Sequence, residues 1–101
     1  MTAVHADLPH RFEMGAGMVT PKAMQVLDKF GLSPFHLMSR HLSGDWGDIP
    51  DADKRLNEHH LKVGLSLHSA YTLAKPGMQA RLLVITEADR SATTVLTPEE
   101  Y

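Results

Sequence analysis

The stretch LLVITEADRSATTVL, residues 82–96, decides the fold. An apolar run from Leu82 to Ile85 enters a charged segment, Glu87 to Ser91. A Thr-rich run, Thr93 to Leu96, leaves it. That pattern predicts two antiparallel strands, at about 80–87 and 92–97, around a polar turn. Upstream, Leu65, Leu67, Ser69, Tyr71 and Leu73 alternate with Ser66, His68, Ala70 and Thr72. A period of two is strand behaviour. Pro76-Gly77 then supplies a turn, and Pro98 ends the last strand. The C-terminal third therefore reads as a three-stranded antiparallel meander.

Before residue 64 the period is 3.6. Thr20 is a helix N-cap with Pro21 at the first helical position. Ala23, Val26, Leu27 and Phe30 form its buried stripe, and Gly31 ends it. Ser33 and Pro34 repeat the start signal for a second helix, PFHLMSRHL, with Phe35, Met38 and Leu42 as inner face and Leu37 beside it. The loop Ser43–Pro50 follows, in which Gly44 and Gly47 flank Asp45-Trp46 and demand unusual dihedrals. Asp51 is read as the cap of a third helix, about 52–63, with Ala52, Leu56 and Val63 as its stripe and Gly64 as its stop. A short strand ending at Val19 precedes the helices. The expected class is α+β: about three N-terminal helices on a C-terminal meander, with one extra N-terminal strand. Residues 1–11, with His5, Pro9 and His10, read as a flexible tail, and 12–101 as a single domain.

The chain has 101 residues, 43% apolar and 22% charged, which suits one small domain with a thin core. It has no cysteine, so disulfide, thiolate-metal and cysteine-nucleophile chemistry are excluded. No apolar run approaches the roughly 20 residues of a membrane span, and the first residues lack a secretory pattern. A cytoplasmic protein without membrane contact is expected. The formal charge of −2 and the lack of a Lys/Arg run argue against coating nucleic acid. They leave room for an RNA site built on one or two arginines.

A longer set of motifs carries a resemblance over about residues 17–101. Arg40-His41 is followed by Gly44-Asp45-Trp46-Gly47-Asp48, then Asp53 and Asn57, Ser69-Ala70-Tyr71, ITEADRSATTVL and PEEY. This resembles a small bacterial family that automated labels describe as a type I restriction endonuclease M subunit or a plasmid-related protein. These residues hold neither the Gly-rich βα turn nor the Asn-Pro-Pro-type loop of a methyltransferase. The resemblance therefore implies a place among mobile-element, phage or anti-defence proteins rather than methyl transfer. By layout alone the chain is also similar to the small ribonucleases of the barnase and colicin group.

Two functions from different classes follow. The first is a binding protein that occupies a protein partner such as a host defence complex, its acidic balance meeting a basic surface. The alternative is a metal-independent ribonuclease acting on RNA or another phosphate-containing ligand. There His41 moves protons, Arg90 holds phosphate with its forked donors, Asp45 orients His41, and Thr93 assists. Trp46, Asp48, Asn57, Ser69 and Tyr71 are the candidate binding residues. Each has a plain reading beside it: His41 as a cation at a helix C-terminus, Arg90 as an ion pair fixing its turn, Trp46 as a plug of the core edge, Asn57 as a latch on the Trp46 loop, and Thr93 as β-propensity.

Asp45, Asp48 and His41 lack any recognised ligand spacing. His59 and His60 point about 100° apart on their helix, one half-buried and the other solvated. No metal or cofactor is expected. The one-site reading requires Arg90 to lie close to Asp45 or Asp48. The long edge of the meander is open to pairing in a homodimer, although nothing in the sequence demands it.

Overall fold

The computed structural model describes residues 9–101; His5 lies outside them. The order is β1 (Ala16–Val19), α1 (Pro21–Phe30), α2 (Pro34–Leu42), α3 (Asp51–Val63), β2 (Leu67–Lys75), β3 (Met78–Thr86) and β4 (Ala92–Leu96), then a short 3-10 turn Pro98–Glu100. The class is α+β, as the change of period indicates. The expected three strands are antiparallel, with Tyr71 opposite Leu82 and Val84 opposite Val95. The extra strand joins the same sheet and runs parallel to β4, giving a mixed sheet in the order β1-β4-β3-β2. No helix among the described residues is long and apolar enough to cross a membrane.

Local signals explain the helix ends. Thr20 accepts from the Ala23 N–H and Ser33 from the Phe35 N–H, each followed by Pro at the first helical position. Gly31 and Gly64 close α1 and α3 in left-handed conformations. For α3 the N-cap is Pro50, and Asp51 is its first residue rather than its cap. There Asp51 and Asp53 still complement the helix dipole.

One face of the sheet carries the core. Leu27, Ala23, Leu37 and Met38 from α1 and α2 pack on Tyr71, Leu73, Leu82, Val84 and Val95. The α2 stripe holds at Leu37, Met38 and Leu42 and differs at Phe35, whereas the α3 stripe is rotated from its predicted place. In α2, Phe35 is 65% exposed, and the buried residues are Leu37, Met38, His41 and Leu42. The helix rolls His41 inward because polar partners wait for it beneath. In α3, Ala52, Leu56 and Val63 are exposed, while Asn57 is buried and Lys54, Glu58 and Leu61 are half-buried. That face has the same 3.6 spacing and is more polar, because it meets the polar edge of a sheet rather than the core.

The outer edge of β2 is covered from His68 to Thr72. The Asn57 side chain donates to His68 O (2.7 Å) and accepts from His68 N (3.1 Å). Trp46 O accepts from Ala70 N (3.3 Å), and Asp48 N donates to Ala70 O (2.7 Å). The Asp48 carboxylate accepts from Thr72 N at 2.7 Å. Asn57 therefore latches the strand, not the Trp46 loop, and the His68–Thr72 part of the meander edge is already paired. Gly47 makes this possible: at φ 79°, a Cβ there would lie 2.0 Å from Ala70 O.

Candidate functional site: a buried hydroxyl–imidazole chain

Inward-facing positions of three strands and one helix bring four polar side chains together. The pleat turns Ser69, Thr86 and Thr93 to the helix side, Thr86 and Thr93 being directly paired across β3 and β4. His41 comes down from the last turn of α2. Its Nδ1 lies 2.6 Å from Ser69 Oγ and its Nε2 2.9 Å from Thr86 Oγ1. Thr86 Oγ1 lies 2.7 Å from Thr93 Oγ1, and Thr93 donates to Met14 O at 2.8 Å.

The last link sets the direction of the whole chain. A carbonyl can only accept, so the Thr93 proton goes to Met14 O. Thr93 must then accept from Thr86, and Thr86 from His41 Nε2–H. Nδ1 is left as a base accepting from the Ser69 hydroxyl. The chain thus fixes a proton on His41 Nε2, and burial, which favours the neutral ring, leaves Nδ1 bare. Burial, followed by the nearby charges of His68 and Arg90, pushes its pKa from 6.5 down to about 3. Among the described residues no buried side-chain nitrogen or oxygen lacks a partner.

A serine donating to an imidazole base is the elementary unit of nucleophilic catalysis. Here the unit is sealed. His41 is 0% and Ser69 2% exposed. Phe12 and Trp46 close on the ring edge-on, at 5.3 and 5.6 Å between centroids, and stack on each other. Trp46 is thus a core plug, its Nε1–H donating to Glu58 at 2.9 Å. Glu58 also takes both guanidinium arms of Arg11 at 2.8 Å. Those hydrogen bonds, Arg11 before Trp46, hold its carboxyl at about 2.

Among the described residues no hydrogen bond or ion pair joins Asp45 to His41 or to Arg90, although Arg90 lies over Phe12, which packs on His41. Asp45 binds Arg40 Nε (2.7 Å) and the Gly47 N–H, not His41. Asp48 binds Thr72, and that backbone N–H holds its carboxyl low. Tyr71 is buried, donates to Asp45 O (2.6 Å) and lies under the Arg40 guanidinium; burial raises its hydroxyl pKa. Arg90 has φ 61° and gives its Nη1 to the carbonyls of Leu65 (2.8 Å), Glu87 and Ala88 (3.1 Å each). Among the described residues the ion pairs are Arg11–Glu58 and Arg40–Asp45. Among the described residues Arg90 makes no ion pair, and its Nη1 ties its own turn to Leu65, just past the end of α3. Thr93 faces Thr86 rather than Arg90 or Ser69.

Thr86, Arg11 and Glu58 escape the sequence reading. Thr86 was legible in principle, because Leu82, Val84 and Thr86 share one strand face. Arg11 and Glu58 pair across 47 positions with no local signal.

A surface concavity among the described residues lies elsewhere. A cleft of about 220 Å³ between α3 and β2 is lined by Ile49, Asp53, Leu56, Asn57, His60 and His68. Leu56 is 50% exposed. His60 Nδ1–H donates to Ser66 O (2.8 Å), and the Ser66 hydroxyl meets His68 Nε2 (3.0 Å). Burial, and then the His60 charge, lowers the His68 pKa. Comparison of the chain with protein-family models, with curated proteins and with solved structures gives no match.

Proposed function

We propose that this chain is a non-catalytic protein-binding module whose contact face is centred on the α3–β2 cleft. The observation that carries this reading is the closure of His41. His41 and the hydroxyls around it are satisfied by one another in the core, and Arg90 spends its Nη1 on three carbonyl groups. The cleft, in contrast, offers apolar side chains, Ile49 and Leu56, beside the carboxylate of Asp53 and two imidazoles. That chemistry suits a partner presenting an apolar side chain next to a cation. The net charge of −2 favours a basic partner in the same sense. The motif resemblance suggests a component of a host defence complex as that partner.

The test pairs two assays. Wild-type protein is expected to leave RNA intact; cleavage abolished by His41→Ala would restore the ribonuclease reading. Capture from the native host is expected to recover a partner that Leu56→Glu loses at least tenfold, on the usual scale of a contact at the centre of an interface. Leu56 is half exposed on a helix, so the variant is expected to stay folded, with circular dichroism as the check. Equal recovery by the folded variant would overturn the cleft as contact face.

A further inference from the structure

The α3–β2 cleft is small and one-sided in its chemistry. Its volume of about 220 Å³ lies below the roughly 300–1,000 Å³ of small-molecule sites and suits one large side chain. Asp53, Leu56 and His60 line it from α3 at i, i+3 and i+7, one column along the helix. Leu56, half exposed, stands between the two polar residues, and Ile49 adds a second apolar wall.

The polar atoms left over in this column are acceptors. His60 Nδ1 lies 2.8 Å from Ser66 O, and a carbonyl only accepts, so the ring proton sits on Nδ1. In the neutral ring Nε2 is then a bare acceptor. The Asp53 carboxylate enters no ion pair among the described residues. The other polar side chains of the cleft are engaged: both ends of the Asn57 amide hold the His68 backbone, and His68 Nε2 meets the Ser66 hydroxyl.

We infer that the cleft is a pocket for a single arginine side chain of the protein partner, with its guanidinium on Asp53, its stem along Leu56 and Ile49, and a donor of the same segment on His60 Nε2. This rests on the cleft being the contact face and sharpens it: the apolar group and the cation are one residue. Seven residues of helix rise about 10.5 Å, a span suited to one extended side chain with a hydrogen bond at each end. A carboxylate in the pocket would meet like charge, and a purely apolar residue would desolvate Asp53 without a partner. Arginine suits the place better than lysine. Its guanidinium is more weakly hydrated than an ammonium and takes a carboxylate through two parallel hydrogen bonds, while its methylenes lie on the leucine.

Nitrogen-15 NMR of the full chain at low salt and about pH 8, where imidazole is neutral, tests it with short glycine peptides. Each is blocked at both ends and carries one central arginine, lysine or norleucine. The arginine peptide is expected to shift the amide signals of Asp53, Leu56 and His60 with millimolar affinity, about threefold tighter than lysine and about tenfold tighter than norleucine. Asp53→Asn, an exposed and nearly isosteric change, is expected to bring the arginine peptide down to the level of norleucine. A wild type without shifts at these residues up to about 20 mM peptide overturns the inference. So does a lysine or norleucine peptide that binds as tightly as arginine, or a variant, folded by circular dichroism, that binds arginine unchanged. These outcomes involve no natural partner and strike the arginine pocket alone, whereas equal recovery of a captured partner by Leu56→Glu strikes the contact face itself.

Discussion

His41 Nδ1 accepts a hydrogen bond from Ser69 Oγ at 2.6 Å inside a core that neither residue leaves. The pair looks like catalytic apparatus and works as architecture. It joins α2 to β2, and through Thr86 and Thr93 the link continues to β3, β4 and the segment before β1. One side chain thereby sets the depth of a helix against three strands.

Breaking this chain is expected to cost stability in a graded way. His41→Ala removes a buried ring, Ser69's acceptor and Thr86's donor, a loss of about 3 kcal/mol. Ser69→Ala leaves only the Nδ1 lone pair unmet, about 1–2 kcal/mol. Thr93→Val keeps the shape but strands the Met14 carbonyl and the Thr86 proton, again about 1–2 kcal/mol. Urea denaturation measures all three. Effects of a few tenths of a kcal/mol throughout would show that the chain does not hold the fold together.

Stability is expected to fall with acid before the carboxylates titrate. The folded state holds the His41 pKa at about 3, against 6.5 when the residue is free. The unfolded chain therefore binds more protons between those values. The contribution is complete above about pH 6.5 and is lost as pH falls towards about 3, with a limiting slope of about 1.4 kcal/mol per pH unit. His68 is lowered too and acts in the same direction. Glu58 adds its loss only below its ordinary 4.5. Urea midpoints between pH 6.5 and 5 isolate the histidines. His41→Asn is expected to flatten the slope by about one histidine's share; an unchanged slope would place the acid sensitivity elsewhere.

Asn57 is expected to matter for aggregation as well as stability. Asn57→Ala frees the N–H and C=O of His68 on a sheet edge, at a cost of about 1–2 kcal/mol. It also opens β2 to pairing with other chains. Light scattering near the unfolding midpoint should show more association than for the wild type. Equal scattering would mean that the Trp46 loop alone protects the edge.

At Arg90 two effects separate by substitution. Its φ of 61° favours glycine, whereas its guanidinium ties three carbonyls. Arg90→Ala loses the ties and keeps the strain; Arg90→Gly loses the ties and relieves about 1 kcal/mol of it. The expected order of stability by urea denaturation is Arg90→Gly above Arg90→Ala. The reverse order would show that the left-handed turn is unstrained.

Periodicity and punctuation carry most of this fold in the sequence. The Pro21 and Pro34 starts, the Gly31 and Gly64 stops and the Pro76-Gly77 turn are local effects, and local sequence states them. The rolls of α2 and α3 are not local. Phe35 is a better core residue than His41 on any hydrophobic scale, and it lies outside because Ser69 and Thr86 offer His41 two hydrogen bonds. Leu56 yields the inner face of α3 to Asn57 for a similar reason: the edge of β2 needs an amide. The parallel pairing of β1 with β4 joins residues some 76 positions apart, as in Ala16 and Ala92, and no spacing rule reaches that far. Arg90 pairs with neither Asp45 nor Asp48, because its Nη1 goes to backbone carbonyls that opposite charge in a sequence does not announce.

The most direct test is the state of the His41 ring, followed by nitrogen-15 NMR across pH. The expected result is one neutral tautomer, protonated at Nε2 and bare at Nδ1, unchanged from pH 8 to about pH 5 and protonating only near or after acid unfolding. A ring that titrates near its ordinary 6.5 in the folded protein, or that carries its proton on Nδ1, would contradict the closed chain. It would return His41 to the list of groups open to a substrate.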